Sequence, residues 1–181
     1  MSSWYWYLTR STGIVATVLA VASLVLGLFF SSRNMGARRK PNWWLAVHNW
    51  LGGLTLAFIG VHLLVAYLDS DAGLRLLDLV VPNSTAGWAI GWGVIATWLF
   101  ALVVLPSTAR IRRRLPRKAW HIVHLLSLPA LVLTGVHAFQ SGTDRPSQPF
   151  ILVAAGLAGL AVYPIVIRLF GIAQRRRAVA A

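Results

Sequence analysis

The chain has 181 residues, 57% of them hydrophobic and 12% charged, about half the charged share of an ordinary soluble domain. It contains no cysteine, which excludes disulfides, iron–sulfur clusters, thiolate zinc sites and haem attached through C-x-x-C-H. The net charge of +13 would suggest nucleic acid in a soluble protein. With this apolar composition the expected partner is lipid, and no nucleic-acid partner is expected.

Five apolar runs are long enough to cross about 30 Å of hydrocarbon as helices: 12–30, 43–68, 88–105, 119–139 and 150–170. The expected fold is all-α, an integral membrane bundle forming one membrane domain over 1–181. The first run is too long for a signal-peptide core and follows no basic segment, so it reads as a retained helix. Arg33, Arg38, Arg39 and Lys40 follow the first run, Arg110, Arg112, Arg113, Arg114, Arg117 and Lys118 the third, and Arg175, Arg176 and Arg177 the fifth. The other two loops carry Asp69, Asp71, Asp78 and Asp144, with Arg75 and Arg145. Basic loops stay inside, so the N-terminus is expected outside and the C-terminus in the cytoplasm of a multi-pass plasma-membrane protein. Trp4, Tyr5, Trp6 and Tyr7 then form an outer aromatic belt, and Trp43, Trp44 and Trp120 an inner one. The basic runs can also bind anionic lipid or an acidic partner.

Between the second and third runs, 74–82 is too short to span and carries two charges, so an interfacial position is expected. Gly87, Gly91 and Gly93 open the third run with small residues that let a neighbouring helix or a flat ligand approach closely. Association with further copies is compatible with this pattern.

The chemistry lies in the histidines. His48 and His62 fall within the second run and His124 and His137 within the fourth, while His121 sits at the membrane edge. Polar residues at such depth are costly and usually functional. Both runs start from a basic loop and point the same way. His48 lies five residues from Trp43 and His124 five residues from Ala119, which puts both about 7.5 Å into their helices. His62 is 14 residues beyond His48 and His137 is 13 beyond His124, so the outer pair stands about 20 Å higher. One histidine from each helix at each of two levels suits two haem b groups, because neutral imidazole is a good ligand for haem iron. Ligation from both sides leaves no open iron position and implies electron transfer. The separation of the levels excludes tetrahedral zinc, and no nucleophile–base–acid set, hence no catalytic residue, is expected. Thirteen residues fall about 140° short of four full helical turns. Pro129 lies between the two histidines and is expected to bend the helix so that both rings face inward. His121 is the fallback for His124.

The segments His48-Asn49-Trp50-Leu51-Gly52-Gly53 through Val61-His62, and Trp120-His121-Ile122-Val123-His124 through Val136-His137, resemble the two haem helices of the ferric reductase-like transmembrane domain. That superfamily includes NADPH oxidases, ferric reductases and the haem subunit of bacterial methionine sulfoxide reductase systems. Thr9-Arg10-Ser11-Thr12-Gly13, Leu68-Asp69-Ser70, Asp78-Leu79-Val80-Val81-Pro82 and Ser141-Gly142-Thr143-Asp144 look like those of small actinobacterial members. The resemblance covers roughly 8–145. It implies that His48 and His124 ligate the inner haem and His62 and His137 the outer one. Arg10 is a candidate contact for an outer haem propionate, or a lone interfacial charge. His121 stands where many relatives carry Arg or Lys. Six helices are usual in larger relatives, and this chain shows five. About ten residues follow the fifth run, whereas each nucleotide-binding lobe needs on the order of 100.

The expected function is therefore a di-haem b cytochrome, the electron-transfer component of an oxidoreductase. It would carry electrons from a cytoplasmic-side donor, a cytosolic flavoprotein or a quinol, to an extracytoplasmic acceptor such as a ferric chelate, oxygen or a flavoprotein. Asp69, Asp71 and Asp78 at the outer side are candidates for docking a cationic partner. Two alternatives stay open: a quinol-linked cytochrome b subunit of a larger complex, and a haem-free assembly or scaffold subunit whose histidines only bridge helices.

Overall fold

The computed structural model describes residues 3–31, 42–143 and 147–180. Arg33, Arg38, Arg39, Lys40, Asp144 and Arg145 lie outside the described residues, as do the side chains of Arg175, Arg176 and Arg177. Lipid offers no partner to backbone N–H and C=O groups, so a spanning segment must satisfy them internally. Among the described residues the regular structure is accordingly helical. The elements are α1 (Ser3–Ser31), α2 (Asn42–Leu68), α3 (Gly87–Val104), the short α4 (Ala109–Arg112), α5 (Arg117–Leu125), α6 (Ser127–Ser141) and α7 (Gln148–Ala180), with 3-10 turns at Leu76–Leu79 and Leu105–Ser107. Five stretches are apolar and long enough to span: Trp4–Phe29, Trp43–Leu68, Gly87–Ser107, Arg117–Ser141 and Gln148–Gln174.

The helix limits depart from the sequence expectation in three places, each with a local cause. First, α1 starts at Ser3 instead of 12. The aromatic belt and Arg10 are themselves helical, and the Thr12 hydroxyl donates to the Leu8 carbonyl at 2.7 Å instead of opening the helix. Second, the fourth span is two helices. Pro129 has no N–H to offer the Leu125 carbonyl, and the chain breaks at Leu126, whose N–H turns back to Val123 at 3.1 Å. Such an i→i−3 turn winds faster than an α-helix, which advances the register in the sense the 13-residue spacing requires. Third, α7 continues to Ala180 despite Pro164 inside it.

Packing follows the small residues. Along α1, Thr12, Ala16, Ala20 and Val21 are buried; α1 packs mainly along α2 and also meets α7. In the same way α3 lies along α6. The two histidine-bearing spans have no such extended contact with each other; they face one another across the bundle. Midway along the helices, Ala20, Phe100 and Ala130 form the core, with Ile59, Leu99 and Leu131 packed against it. At one end of α2 the Trp44 indole donates to the Leu26 carbonyl at 3.1 Å and fixes α2 on α1.

The 74–82 segment is a compact loop over α3. Its two charges face each other: Arg75 Nε lies 3.4 Å from Asp78 Oδ2. The Trp98 indole donates to the Val80 carbonyl at 3.1 Å. At Gly91 a Cβ would meet the Asn83 nitrogen at 2.8 Å, so glycine is what admits the loop there. Leu76, Leu77, Val80 and Val81 point outward and are exposed.

Candidate functional site

The bundle brings the four intramembrane histidines together as two facing pairs. His48 and His124 have ring centres 5.9 Å apart with planes at 61°, and His62 and His137 have theirs 6.3 Å apart at 84°. His121 joins neither pair; it is exposed and lies edge-on to Trp120, 5.3 Å away. Among the described residues no three His, Asp or Glu side chains gather into a metal site of their own. Among the described residues each level brings together two imidazoles and no third His, Asp or Glu.

Each ring is held by the helix beside its own. His62 Nδ1 is 2.8 Å from the Thr9 carbonyl and His48 Nδ1 is 2.9 Å from the Ser23 carbonyl, both on α1. His137 Nδ1 is 2.8 Å from the Ala89 carbonyl on α3. A carbonyl only accepts, so the single proton of each neutral ring sits on Nδ1 and is donated, leaving the Nε2 lone pair available. This is the bracing that orients and strengthens metal-bound histidines. Glycines supply the room. A Cβ at Gly13 would meet His62 Cε1 at 3.1 Å, one at Gly27 would meet His48 Cε1 at 3.1 Å, and one at Gly93 would meet His137 Nδ1 at 2.8 Å.

A repeat explains this cradle. Thr9 and Gly13, Ser23 and Gly27, and Ala89 and Gly93 are each four residues apart, one helical turn. In each the first residue offers its carbonyl to the ring and the glycine offers space. The two cradles on α1 are 14 residues apart, the interval that separates His48 from His62. Sequence reading marks Gly93 as a point of close approach and Thr9 and Gly13 only as part of a motif; it passes over Ser23, Gly27, the carbonyl role of Ala89 and the matching interval that ties them to the rings.

The fourth ring is held differently. His124 Nδ1 lies 3.4 Å from the Ser107 hydroxyl, which itself donates to the Val103 carbonyl at 2.6 Å. The Trp120 indole also donates to Ser107 Oγ, at 3.3 Å, and stacks on the His124 ring with centres 4.7 Å apart and planes at 21°. The Arg112 guanidinium covers the Trp120 ring at 4.2 Å.

At the other level, Arg10 follows Thr9 directly. Its Nη1 donates to the Thr143 hydroxyl at 3.2 Å, and its guanidinium lies 4.8 Å from the Trp6 ring centre. The Thr9 hydroxyl is buried and has no hydrogen-bond partner. One expectation is corrected here. Asp78 is 2% exposed and accepts from Ser84, Thr85 and the Arg75 backbone, so it is a loop staple and no surface for docking. The Ser84 hydroxyl and the Arg75 N–H hold its carboxyl well below the usual carboxylate range. Asp69 and Asp71 remain at the surface, where Asp69 accepts from the Asp71 N–H at 3.1 Å.

A helical membrane bundle with two levels of facing, Nδ1-braced histidines has the form of a transmembrane electron carrier. The sequence profile of the ferric reductase like transmembrane component matches residues 3–135, and the chain belongs to that family. It is an integral membrane protein, and the family's theme is electron transfer within the membrane. The matched region ends two residues before His137. No curated protein matches the chain.

Proposed function

We propose that this chain is a di-haem b cytochrome of the plasma membrane, with its N-terminus outside, passing single electrons from a cytoplasmic-side donor to an extracytoplasmic acceptor. The observation that carries this reading is the ring separation at both levels. A metal–imidazole bond of about 2 Å on each side of one ion, plus about 1 Å from each nitrogen to its ring centre, separates two trans rings by about 6 Å. The pairs stand at 5.9 and 6.3 Å. Carbonyl bracing at Nδ1 gives three of the four rings the tautomer that ligation needs.

Haem b bound at each level would supply a one-electron carrier. His48 and His124 would hold the inner one and His62 and His137 the outer. Two imidazoles at each level would leave no room for a further ligand and would confine such a group to electron transfer. The core of Ala20, Ile59, Phe100, Ala130 and Leu131 excludes water from the space between the levels. The buried Thr9 hydroxyl and the Arg10 guanidinium are suited to an outer propionate, one as an unspent donor and the other as a charge. The donor is a separate cytosolic flavoprotein or a quinol, and the acceptor a ferric chelate, oxygen or an extracytoplasmic flavoprotein.

A reduced-minus-oxidised absorption spectrum of the detergent-purified chain, with its haem-to-protein ratio, tests this. Sharp low-spin b-type bands at about two haems per chain are expected, falling to about one in His62→Ala and in His137→Ala. A folded but colourless chain overturns the reading.

A further inference from the structure

Three of the four histidines sit in the same cradle, a carbonyl for Nδ1 and, one turn on, a glycine against the ring. Stepping 14 residues along from Ala89 and Gly93 leads to Val103 and Ser107, and these are the residues found at His124. The fourth cradle is thus the same device with serine in the glycine's place. The Ser107 hydroxyl takes the Val103 carbonyl for itself at 2.6 Å and stands between that carbonyl and the ring. What remains for His124 Nδ1 is a 3.4 Å contact to an oxygen that also accepts from Trp120. That contact is long for a hydrogen bond, whereas the three carbonyl braces are 2.8–2.9 Å.

We propose that Ser107 raises the potential of the inner histidine pair above the value that a carbonyl brace on His124 would give it. The inference rests on the di-haem reading. A strong Nδ1–H bond makes an imidazole a more basic ligand and favours ferric iron; a weak one leaves the ligand less basic and favours ferrous iron. At the outer level both rings are braced by carbonyls at 2.8 Å. At the inner level His48 is so braced and His124 is not. Charge acts in the same direction. The Arg112 cation lies on the far face of the indole that stacks on His124, and a nearby positive charge stabilises the state carrying one more electron. A haem held by His48 and His124 would accept one electron from the donor and give it up toward the outer level, with no proton moved.

The test is an equilibrium redox titration of the purified, haem-loaded chain, following the two low-spin components by absorption and electron paramagnetic resonance. Ser107→Gly restores the cradle of the other three rings, lets His124 reach the Val103 carbonyl, and should move down the midpoint of the component that survives His62→Ala. Ser107→Ala keeps the side chain's bulk but removes the acceptor, and should move the same midpoint up. Ser107→Thr keeps the hydroxyl and should leave both in place. Arg112→Gln changes a residue at the helix periphery, so it reports even if a Ser107 variant fails to fold, and should move the same midpoint down. Shifts of the component that His62→Ala removes, shifts of Ser107→Gly and Ser107→Ala in the same direction, or two haems with unmoved midpoints overturn this proposal while leaving the di-haem reading intact. A wild-type chain that binds no haem overturns both.

Discussion

Helices α1 and α7 look alike as sequence and do unlike work. Both are long and apolar, and both carry small residues. On α1, Thr12, Ala16, Ala20 and Val21 are buried, and Gly13 and Gly27 each face a histidine ring. On α7, Ala161 and Pro164 are buried, while Cβ atoms at Gly156 and Gly159 would meet nothing within 4 Å. Apolarity marks both as spans. What separates a helix that builds the site from one that flanks it is what its glycines face. By that measure α3 belongs with α1, since Gly91 admits the loop backbone and Gly93 admits His137.

The largest effect is expected where a glycine is tightest. Gly93→Leu drives a side chain into His137, because even a Cβ would stand 2.8 Å from Nδ1. Overpacking of this kind costs about 1–3 kcal/mol, and here the displaced atom is the one that holds the ring. The variant should lose the outer haem and keep the inner one, measured as haem per chain. Gly13→Ala, with contact at 3.1 Å, should loosen the same level more mildly and broaden its low-spin signal before haem is lost. If Gly93→Leu keeps both haems with unchanged spectra, the division between site-building and flanking helices is wrong.

Much of this was legible beforehand. The spans could be read from uninterrupted apolar runs, and the two levels from the spacing of His48, His62, His124 and His137 along parallel helices. Pro129 pointed to the interruption of the fourth span, though its place at Leu126 and its effect on register depend on which carbonyl loses its donor. The braces were harder to see. An accepting carbonyl leaves no trace in the side-chain alphabet, so Thr9, Ser23 and Ala89 looked like ordinary helix residues. Asp78 was misjudged for a related reason: its partners Ser84 and Thr85 are six and seven residues on, and a loop's closure cannot be read from charge alone.

That loop sharpens the comparison at smaller amplitude, because it is held against α3 and has no counterpart on α7. Asp78 is ionised in the folded loop with its carboxyl held below the ordinary value of about 3.9. A depressed carboxylate contributes stability above its unfolded value and loses it as pH falls through the folded one. The protection factors of the amides over 75–86, with the intrinsic pH dependence of exchange divided out, should therefore be flat from neutral pH down to about 4 and fall only in stronger acid. Asp78→Asn should bring the lower protection to neutral pH. Protection that falls already between pH 7 and 5 would mean that another group closes the loop.

The smallest expected effect is the one that defines α7. Gly159 is helical, lies outside every cradle and has open space where a Cβ would go. Alanine there fills nothing that is used and removes backbone freedom from the unfolded segment, so Gly159→Ala should leave stability unchanged or raise it by at most about 1 kcal/mol. Haem content and both midpoints should be those of the wild type, since α7 packs chiefly on α1. The same substitution at Gly27 meets His48 at 3.1 Å and should broaden the inner component. The two variants change one hydrogen to one methyl in helices of similar composition, so any difference between them reports what faces the glycine and nothing about helix propensity. A Gly159→Ala chain that loses haem or resists purification would place α7 among the site-building helices, against the geometry of its packing.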